Sequence, residues 1–298
     1  MEREQDIDEI LKQWPFDPQS VNVRLLESAQ RRVLQMRVDM GILQLETDGR
    51  PDGNRFHGAT TYYEFLRVQS NQSEDKFELD EDSCLEVDRE FVQFYHRRVC
   101  WLQLKEFDLA VRDADHTLAL MDFCKRHSSD EQWTISHEQY RPFVLYHRTQ
   151  AAALAFINQE EDSGENADGT EPVDTAEFAI DEVNTGLIRL RELFAEYDAE
   201  EQFDEDELVQ RLTECREGLR EKYEVGPTAK EQLETAIRDE DYEAAARLRD
   251  QLSKRTGDNY NAWQNGEQAI AIESAIMPQT WRKLLQSVNL FHILKFKM

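Results

Sequence analysis

The chain is poor in the residues that interrupt regular structure. Its 298 residues include only 11 glycines and 7 prolines. An architecture of many short strands needs frequent turns, and this scarcity argues against one. Hydrophobic residues make up 40% of the chain and charged residues 33%, which suits helices that keep one face in water. The composition therefore predicts an all-α protein with a core of ordinary size.

Cysteine is also scarce, and the few cysteines are far apart. No CxxC pair occurs among Cys84, Cys100, Cys124 and Cys215. Structural zinc sites need closely spaced ligand pairs, so we predict no metal site, and nothing else in the sequence predicts a cofactor. Dispersed thiols are typical of proteins in a reducing cytoplasm, where free cysteine acts as a small buried hydrophobic residue.

Long apolar runs are missing as well. The first ten residues, MEREQDIDEI, are charged and do not form the apolar core of a signal peptide. No stretch approaches the length of a membrane span. We therefore expect a cytoplasmic protein without a membrane segment.

Acidic residues strongly outnumber basic residues. The formal net charge is -27 and the pI is about 4.6. Affinity for nucleic acid comes mainly from Lys and Arg that neutralise phosphates. We therefore predict that direct binding of nucleic acid is weak or absent, although a local basic face remains compatible with this balance.

Apolar residues recur at helical spacing along most of the chain. The first long pattern, from Val23 to Leu45, uses Leu26, Val33, Met36, Met40 and Leu43 and predicts one long helix. Further patterns predict helices at about 60–68, 87–104, 107–124, 138–157, 175–197 and 204–223.

Two segments lack these patterns. Residues 159–174 are acidic and nearly free of large apolar groups, which predicts a disordered insertion within a helical body of residues 1–224. Gly226 and Pro227 indicate a linker. The tail, residues 257–298, is less acidic and contains a candidate amphipathic helix near 281–294.

Small and aromatic residues recur in two helical pairs of the body. The first pair carries Tyr95, Leu102, Phe107, Ala110 and Ala114, and the second Tyr146, Ala153, Phe178, Ala179 and Leu187. Antiparallel helix pairs with small residues at the crossing are typical of tetratricopeptide repeats, which this region resembles. The first pair lacks the family's usual glycine and closing proline, and the acidic insertion splits the second. A helical bundle without repeats is the alternative.

The segment QLETAIRDEDYEAAARLRDQLSK, residues 232–254, predicts a short helical hairpin. Small residues let its two helices approach, and leucine and isoleucine form an apolar seam. The residues assigned to this seam are Leu233, Ile237, Tyr242, Ala245, Ala246, Leu248, Arg249 and Leu252. The segment resembles the UVR motif, a helical hairpin of the excision-repair proteins UvrB and UvrC and of some stress-response regulators. The resemblance implies a UVR hairpin at residues 228–256.

A hairpin of this length has too small a core to be stable alone. The resemblance implies that its seam binds a partner protein, such as another UVR hairpin. The alternative is that the seam packs on helices of this chain. No GxxxxGK[ST] phosphate loop accompanies the motif.

The loop TDGRPDGNRFHG, residues 47–58, is the other unusual segment. Glycines next to Arg50 and Arg55 are a pattern that lets backbone amides approach an anion, and Asp48, Asp52 and His57 complete a candidate ligand site. The alternative is a turn between helices, in which the glycines adopt positive φ. The spacing matches no nucleotide-binding fingerprint.

These features predict a non-enzymatic adaptor without catalytic residues, which binds protein through the hairpin and the helical body. An accessory factor of nucleotide excision repair, acting with a UvrB- or UvrC-type partner, is one alternative. A hydrolase that uses the 47–58 loop is another. The sequence leaves the partner and the oligomeric state open.

Overall fold

The protein is mostly helical. A computed structural model describes residues 6–28, 31–73, 76–163 and 172–265, without the side chains of 159–163, 172–174 and 254–265. The first elements are α1 (Asp8–Gln13), β1 (Val23–Ser28), β2 (Arg31–Val38), β3 (Gly41–Glu46), α2 (Tyr62–Gln72), α3 (Glu81–Leu104), α4 (Phe107–His127) and α5 (Glu131–Glu138). They are followed by α6 (Arg141–Ser163), α7 (Pro172–Glu196), a 3-10 helix (Glu200–Glu205), α8 (Glu207–Tyr223), α9 (Ala229–Arg238) and α10 (Tyr242–Asn265).

The described chain divides into two compact units, one up to Arg141 and one from Pro142. The UVR-like hairpin α9–α10 belongs to the second unit. The predicted boundaries of the body, hairpin and tail remain predictions. Among the helices that the structure describes, none is both long and apolar enough to cross a lipid bilayer.

The predicted helix from Val23 to Leu45 is wrong. This segment forms an antiparallel sheet in the order β1-β2-β3. Met36 and Leu43 are register partners on one face, whereas Val33 lies on the opposite face, and Met40 is 90% exposed in the turn between β2 and β3. The apolar residues that appeared to share one helical face therefore occupy both faces of a sheet and a turn.

Alternation of apolar and polar residues explains the sheet. Leu34, Met36 and Leu45 lie on the face that packs towards α3, and they alternate with Gln35 and Gln44 on the other face. Gln35 is bonded to Gln44 across the strands (3.0 Å). A period of two residues places Leu34, Met36, Leu43 and Leu45 on one face of the sheet, whereas a helix would distribute them around its axis.

The segment after α1 covers the polar face of the sheet. The guanidinium of Arg24 lies 4.3 Å from the ring centroid of Trp14. Arg37 is buried and donates from Nε to the carbonyl of Trp14 (2.8 Å) and from Nη1 to the carbonyls of Asp39 and Gly41 (3.1 and 3.0 Å). Both faces of β2 are consequently buried.

The helical hairpin α3–α4 is confirmed where the sequence predicts it. Ala110 and Ala114 are fully buried in α4, as expected for small residues at a helix crossing. The two helices contain 24 and 21 residues, so the pair is longer than a tetratricopeptide repeat of about 34 residues. The repeat assignment remains a prediction.

The second unit contains a close contact between α6 and α7. A Cβ atom added to Gly186 would lie 2.2 Å from Oγ1 of Thr149, and the rings of Phe156 and Phe178 stack at 5.6 Å nearby. Glycine lets the two helix backbones approach here. Helix α8 then packs against α7.

Several helix boundaries differ from the predicted ones. Helices α1 and α5 are absent from the sequence interpretation. The predicted disordered insertion is wrong at both ends, because residues 159–163 belong to α6 and residues 172–174 to α7. Its middle, residues 164–171, lies outside the described residues. Helix α10 extends to Asn265, and the candidate helix at 281–294 also lies outside them.

Candidate partner-binding site

The hairpin begins with a complete capping box. Oγ1 of Thr228 accepts a hydrogen bond from the backbone amide of Glu231 (3.3 Å), and Oε2 of Glu231 accepts one from the amide of Thr228 (2.8 Å). Two amides that a helix end leaves without partners are thereby satisfied. The local sequence TAKE is sufficient to predict this helix start.

The turn between the two helices is equally defined by local sequence. Glu240 adopts φ of +59°, and the amide of Asp241 donates to the carbonyl of Ala236 (2.8 Å), which ends α9. Oδ1 of Asp241 accepts from the amide of Ala244 (3.0 Å) and caps α10. The three residues 239–241 thus reverse the chain and start the second helix.

The inner side of the hairpin is made of small and branched apolar residues. Ala236 and Ala245 are buried, and Leu233, Leu248 and Leu252 are half-buried. Spacings of three and four residues place each set on one side of its helix. Helices α9 and α10 pack against each other, and the burial of Leu233, Ala245, Leu248 and Leu252 agrees with a position on the side of the hairpin where the two helices meet.

The other predicted seam residues are exposed. Ile237 is 55% exposed and Tyr242 is 71% exposed. Ala246 is exposed, and the side chain of Arg249 is 72% exposed with an ion pair to Asp250 (3.4 Å). The structure therefore divides the predicted seam into an inner side and an outer face, which we define as Ile237, Tyr242, Ala246 and Arg249.

The beginning of the hairpin is bonded to α7. Fully buried Thr228 donates from Oγ1 to Oδ1 of Asp181 (2.6 Å), and Lys230 donates to Oγ1 of Thr185 (3.2 Å). Oε1 of Glu231 accepts from Nδ2 of Asn184 (2.8 Å). We call Thr228, Lys230 and Glu231 the hairpin base.

Arg220 of α8 also bonds to the base. Its guanidinium contacts the carboxylate of Glu231 and the carbonyl of Gly226. Val225, in the connection between α8 and α9, is buried. The segment predicted as a linker is therefore a short connection held by hydrogen bonds on both sides of Pro227.

These contacts shift two carboxyl groups in opposite directions. Burial raises the pKa of Asp181, against the effect of its hydrogen bond from Thr228. Burial also opposes ionisation of Glu231, but hydrogen bonds from Arg220, the Thr228 amide and Asn184 hold its pKa below the ordinary value. Glu231 therefore stabilises the base at neutral pH, and this contribution is lost as the pH falls through its lowered pKa.

We expect Thr228→Ala to destabilise the docking of the hairpin on α7. The substitution removes the cap of α9 and a buried hydrogen bond to Asp181, and each contributes about 1 kcal/mol or more. Amide hydrogen exchange should show faster exchange across α9. Thr235→Ala is the matched control because Thr235 is exposed in the middle of α9, and unchanged exchange in Thr228→Ala would contradict the expectation.

The 47–58 loop joins β3 to α2, and its candidate ligand residues do not form one cluster. Arg50 is 1% exposed and forms ion pairs with Glu86 (2.8 Å) and Asp52 (3.2 Å). Asp48 instead pairs with Arg112 of α4 (3.1 Å).

The remaining loop residues are at the surface. The ring of His57 stacks on Phe65 at 5.3 Å, and Arg55 is exposed. The three glycines have positive φ, and Gly49 is additionally constrained because a Cβ there would lie 2.9 Å from the carbonyl oxygen of Thr60. The glycines and Arg50 are thus occupied in shaping the loop and holding it to α3.

Sequence reasoning missed the residues that position the hairpin. Asp181, Asn184 and Arg220 have no local signal, because their role depends on how α7 and α8 pack. Only Thr228 could have been found, since a threonine followed three residues later by a glutamate predicts a capping box.

Comparison with known families agrees with the hairpin. Residues 228–254 match the family model of the UvrB/uvrC motif, which covers α9 and the described side chains of α10. No curated protein and no solved structure matches the chain significantly. The chain therefore carries a UVR motif, a protein-interaction hairpin in UvrB and UvrC.

Proposed function

We propose that this protein is a non-enzymatic, cytoplasmic adaptor of the bacterial type, which binds a partner protein through its UVR hairpin. The observation that supports this proposal most directly is the exposure of Ile237 and Tyr242 (55% and 71%) on a hairpin whose base is already bonded to α7 and α8. Singly exposed apolar residues are common on protein surfaces, so the support comes from the position of Ile237 and Tyr242, on either side of the 239–241 turn of the hairpin that matches the UVR motif.

The chemistry of the cysteines supports a role without nucleophilic catalysis. Burial raises the pKa of Cys84 to about 11 and that of Cys100 and Cys215 to about 12. It also raises the pKa of Cys124. An activated thiol needs a lowered pKa, and these shifts have the opposite direction. Four unpaired thiols also favour a reducing compartment.

The hydrolase alternative has weaker support. It requires Arg50, Arg55 and His57 to share a pocket, but Arg50 is buried among Glu86, Asp52 and the ring of Phe56, 4.9 Å from its guanidinium. Its charge serves the attachment of the loop to α3 and is not presented to an anion.

A role in nucleotide excision repair rests on the motif. Arg247 and Arg249 are exposed on α10, while the side chains of Lys254 and Arg255 lie outside the described residues. The net charge of -27 opposes contact with phosphates, so in such a role we would assign DNA binding to the partner.

Leu248→Asp should abolish capture of the partner from native cell extract. A carboxylate placed between α9 and α10 should push the two helices apart, because burial of an unpaired charge is costly. The helical circular-dichroism signal of the remaining helices should persist. The measurement is affinity capture with the full chain as bait, followed by mass spectrometry.

Leu85→Asp is the matched control for this experiment. Leu85 is a 53% exposed leucine on α3, so the same change of side chain should leave capture intact. Identical sets of captured proteins for wild type and Leu248→Asp would refute the adaptor proposal.

A further inference from the structure

The hairpin has a very small core of its own. Among residues 229–253, whose side chains the structure describes, the buried apolar residues are Ala229, Ala236 and Ala245, and every larger apolar side chain stays partly exposed. Alanine has little apolar area, so its burial contributes little hydrophobic free energy. Helix α9 contains 10 residues, and isolated helices shorter than about 12–15 residues are marginal in water. Local sequence therefore specifies the turn and the caps of the hairpin but does not supply its stability.

Polar attachment of the hairpin to the body is confined to the hairpin base. The residues that contact the base are Asp181, Asn184 and Thr185 of α7 and Arg220 of α8. Along residues 233–251, which the structure describes with their side chains, hydrogen bonds and ion pairs stay within the hairpin. The stability that the hairpin lacks is therefore supplied at its base.

Two side chains of the base join the folding of α9 to its docking. Oε2 of Glu231 accepts from the amide of Thr228 as half of the capping box (2.8 Å), while Oε1 accepts from Asn184 and Arg220. Oγ1 of Thr228 likewise accepts from the amide of Glu231 (3.3 Å) and donates to Asp181 (2.6 Å). A hairpin that leaves the body loses the partners that orient both capping side chains, so undocking also weakens the start of α9.

We propose that the UVR hairpin is a conditionally folded segment, in which α9 and α10 form together only while the hairpin base is docked on α7 and α8. Undocking and loss of helix are then one order–disorder transition, separate from unfolding of the body. Asn184 and Arg220 are positioning residues, because they act through Glu231. The folding part of this inference is independent of the proposed adaptor function, and its consequence, that α7 and α8 control capture of a partner, rests on that function.

Arg220→Ala in the full chain tests this coupling from outside the hairpin. Amide hydrogen exchange followed by mass spectrometry should accelerate about tenfold or more along both α9 and α10, because a hydrogen bond to a charged group is lost and the whole hairpin opens more often. Residues 242–253 decide the question, since Arg220 bonds to none of them. Exchange in α7 should stay at the wild-type rate.

Asn184→Asp is a second variant, which changes the shape of the side chain very little. It removes the amide donor and places a carboxylate beside that of Glu231, so it should also accelerate exchange as far as residue 253. Arg189→Ala is the matched control for Arg220→Ala, because Arg189 is an exposed arginine on α7. Exchange in α9 and α10 should then change less than about twofold, the usual small effect of a surface substitution.

Three results would overturn the proposal. They are faster exchange confined to residues 228–232 in Arg220→Ala, equal exchange in Arg220→Ala and Arg189→Ala, and an equal acceleration in α7, which would make the hairpin part of the cooperative unit of the body. Capture from native cell extract separates this inference from the adaptor proposal. If Leu248→Asp abolishes capture but Arg220→Ala leaves exchange in α10 unchanged, the adaptor function stands and the coupling fails. If exchange rises as expected but both variants capture the wild-type set of proteins, the coupling stands and the adaptor proposal fails.

Discussion

Asp113→Ala should lower the free energy of unfolding by about 3–5 kcal/mol, the usual loss when one partner of a buried ion pair is removed. Asp113 is fully buried and accepts from Nε and Nη2 of Arg97 (2.7 and 2.9 Å) and from Nε1 of Trp101 (3.1 Å). Its removal leaves Arg97, which is 1% exposed, as a buried charge without its counter-ion. Chemical denaturation followed by circular dichroism measures the change.

Asp115→Ala is the matched control, because Asp115 lies on the exposed side of α4. Its effect should stay within about 0.5 kcal/mol. Asp113→Asn should lie between the two, since an amide retains the shape of the side chain but not its charge. Similar midpoints for Asp113→Ala and Asp115→Ala would show that the pair does not stabilise the first unit.

The double variant Arg97→Met, Asp113→Leu tests what else Arg97 does. Apolar replacement of both partners of a buried pair is often neutral or stabilising. Arg97, however, also donates from Nη1 to the carbonyls of Glu46 and Gly49 (3.0 and 2.8 Å). The double variant should therefore be more stable than Asp113→Ala but less stable than wild type, with faster hydrogen exchange in the 47–58 loop.

Gly186→Ala and Gly218→Ala should have opposite effects on stability. At Gly186 the new methyl group would lie 2.2 Å from Oγ1 and 2.7 Å from Cβ of Thr149, so α6 and α7 must move apart at a cost of about 1–3 kcal/mol or more. At Gly218, inside α8, an added Cβ meets nothing within 4 Å. There alanine should stabilise the helix by about 0.5–1 kcal/mol.

Thermal unfolding of the two variants measures this difference directly. Thr149→Gly in the Gly186→Ala chain removes all the side-chain atoms that the methyl group meets, and it should recover part of the loss. Equal melting temperatures for the two glycine variants would show that the close approach of α6 and α7 is relaxed without cost.

In the loop of residues 47–58, the buried guanidinium of Arg50 is paired with carboxylates of the same chain. Glu90 is fully buried, and its carboxylate accepts from the amides of Tyr62 and Tyr63 (2.7 and 3.0 Å) at the start of α2 and contacts Nε2 of His116 (2.9 Å). Arg50 lies beside it at 3.9 Å. Arginine and glycine in a loop suggest an anion site from sequence alone, but here a carboxylate of α3 supplies the anion.

The sequence by itself determined the helical class, the α3–α4 pair and the UVR hairpin. These features depend on interactions within a few residues, such as the capping box of Thr228 and Glu231 and the cap that Asp241 provides to α10. Spacings of three and four residues between apolar positions were sufficient to predict a helix where that helix was long or its ends were capped.

Only the tertiary structure decided the state of residues 23–46 and the division of the hairpin's seam. Leu26, Val33, Met36 and Leu43 fit a helical spacing, while Leu34, Met36, Leu43 and Leu45 fit a strand alternation, and packing of the second set towards α3 selects the sheet. In the sequence of α9, Ile237 and Leu233 are both apolar residues at helical spacing and appear equivalent. The approach of α10 half-buries Leu233, and Ile237 stays exposed, because burial depends on the neighbour of each residue in space.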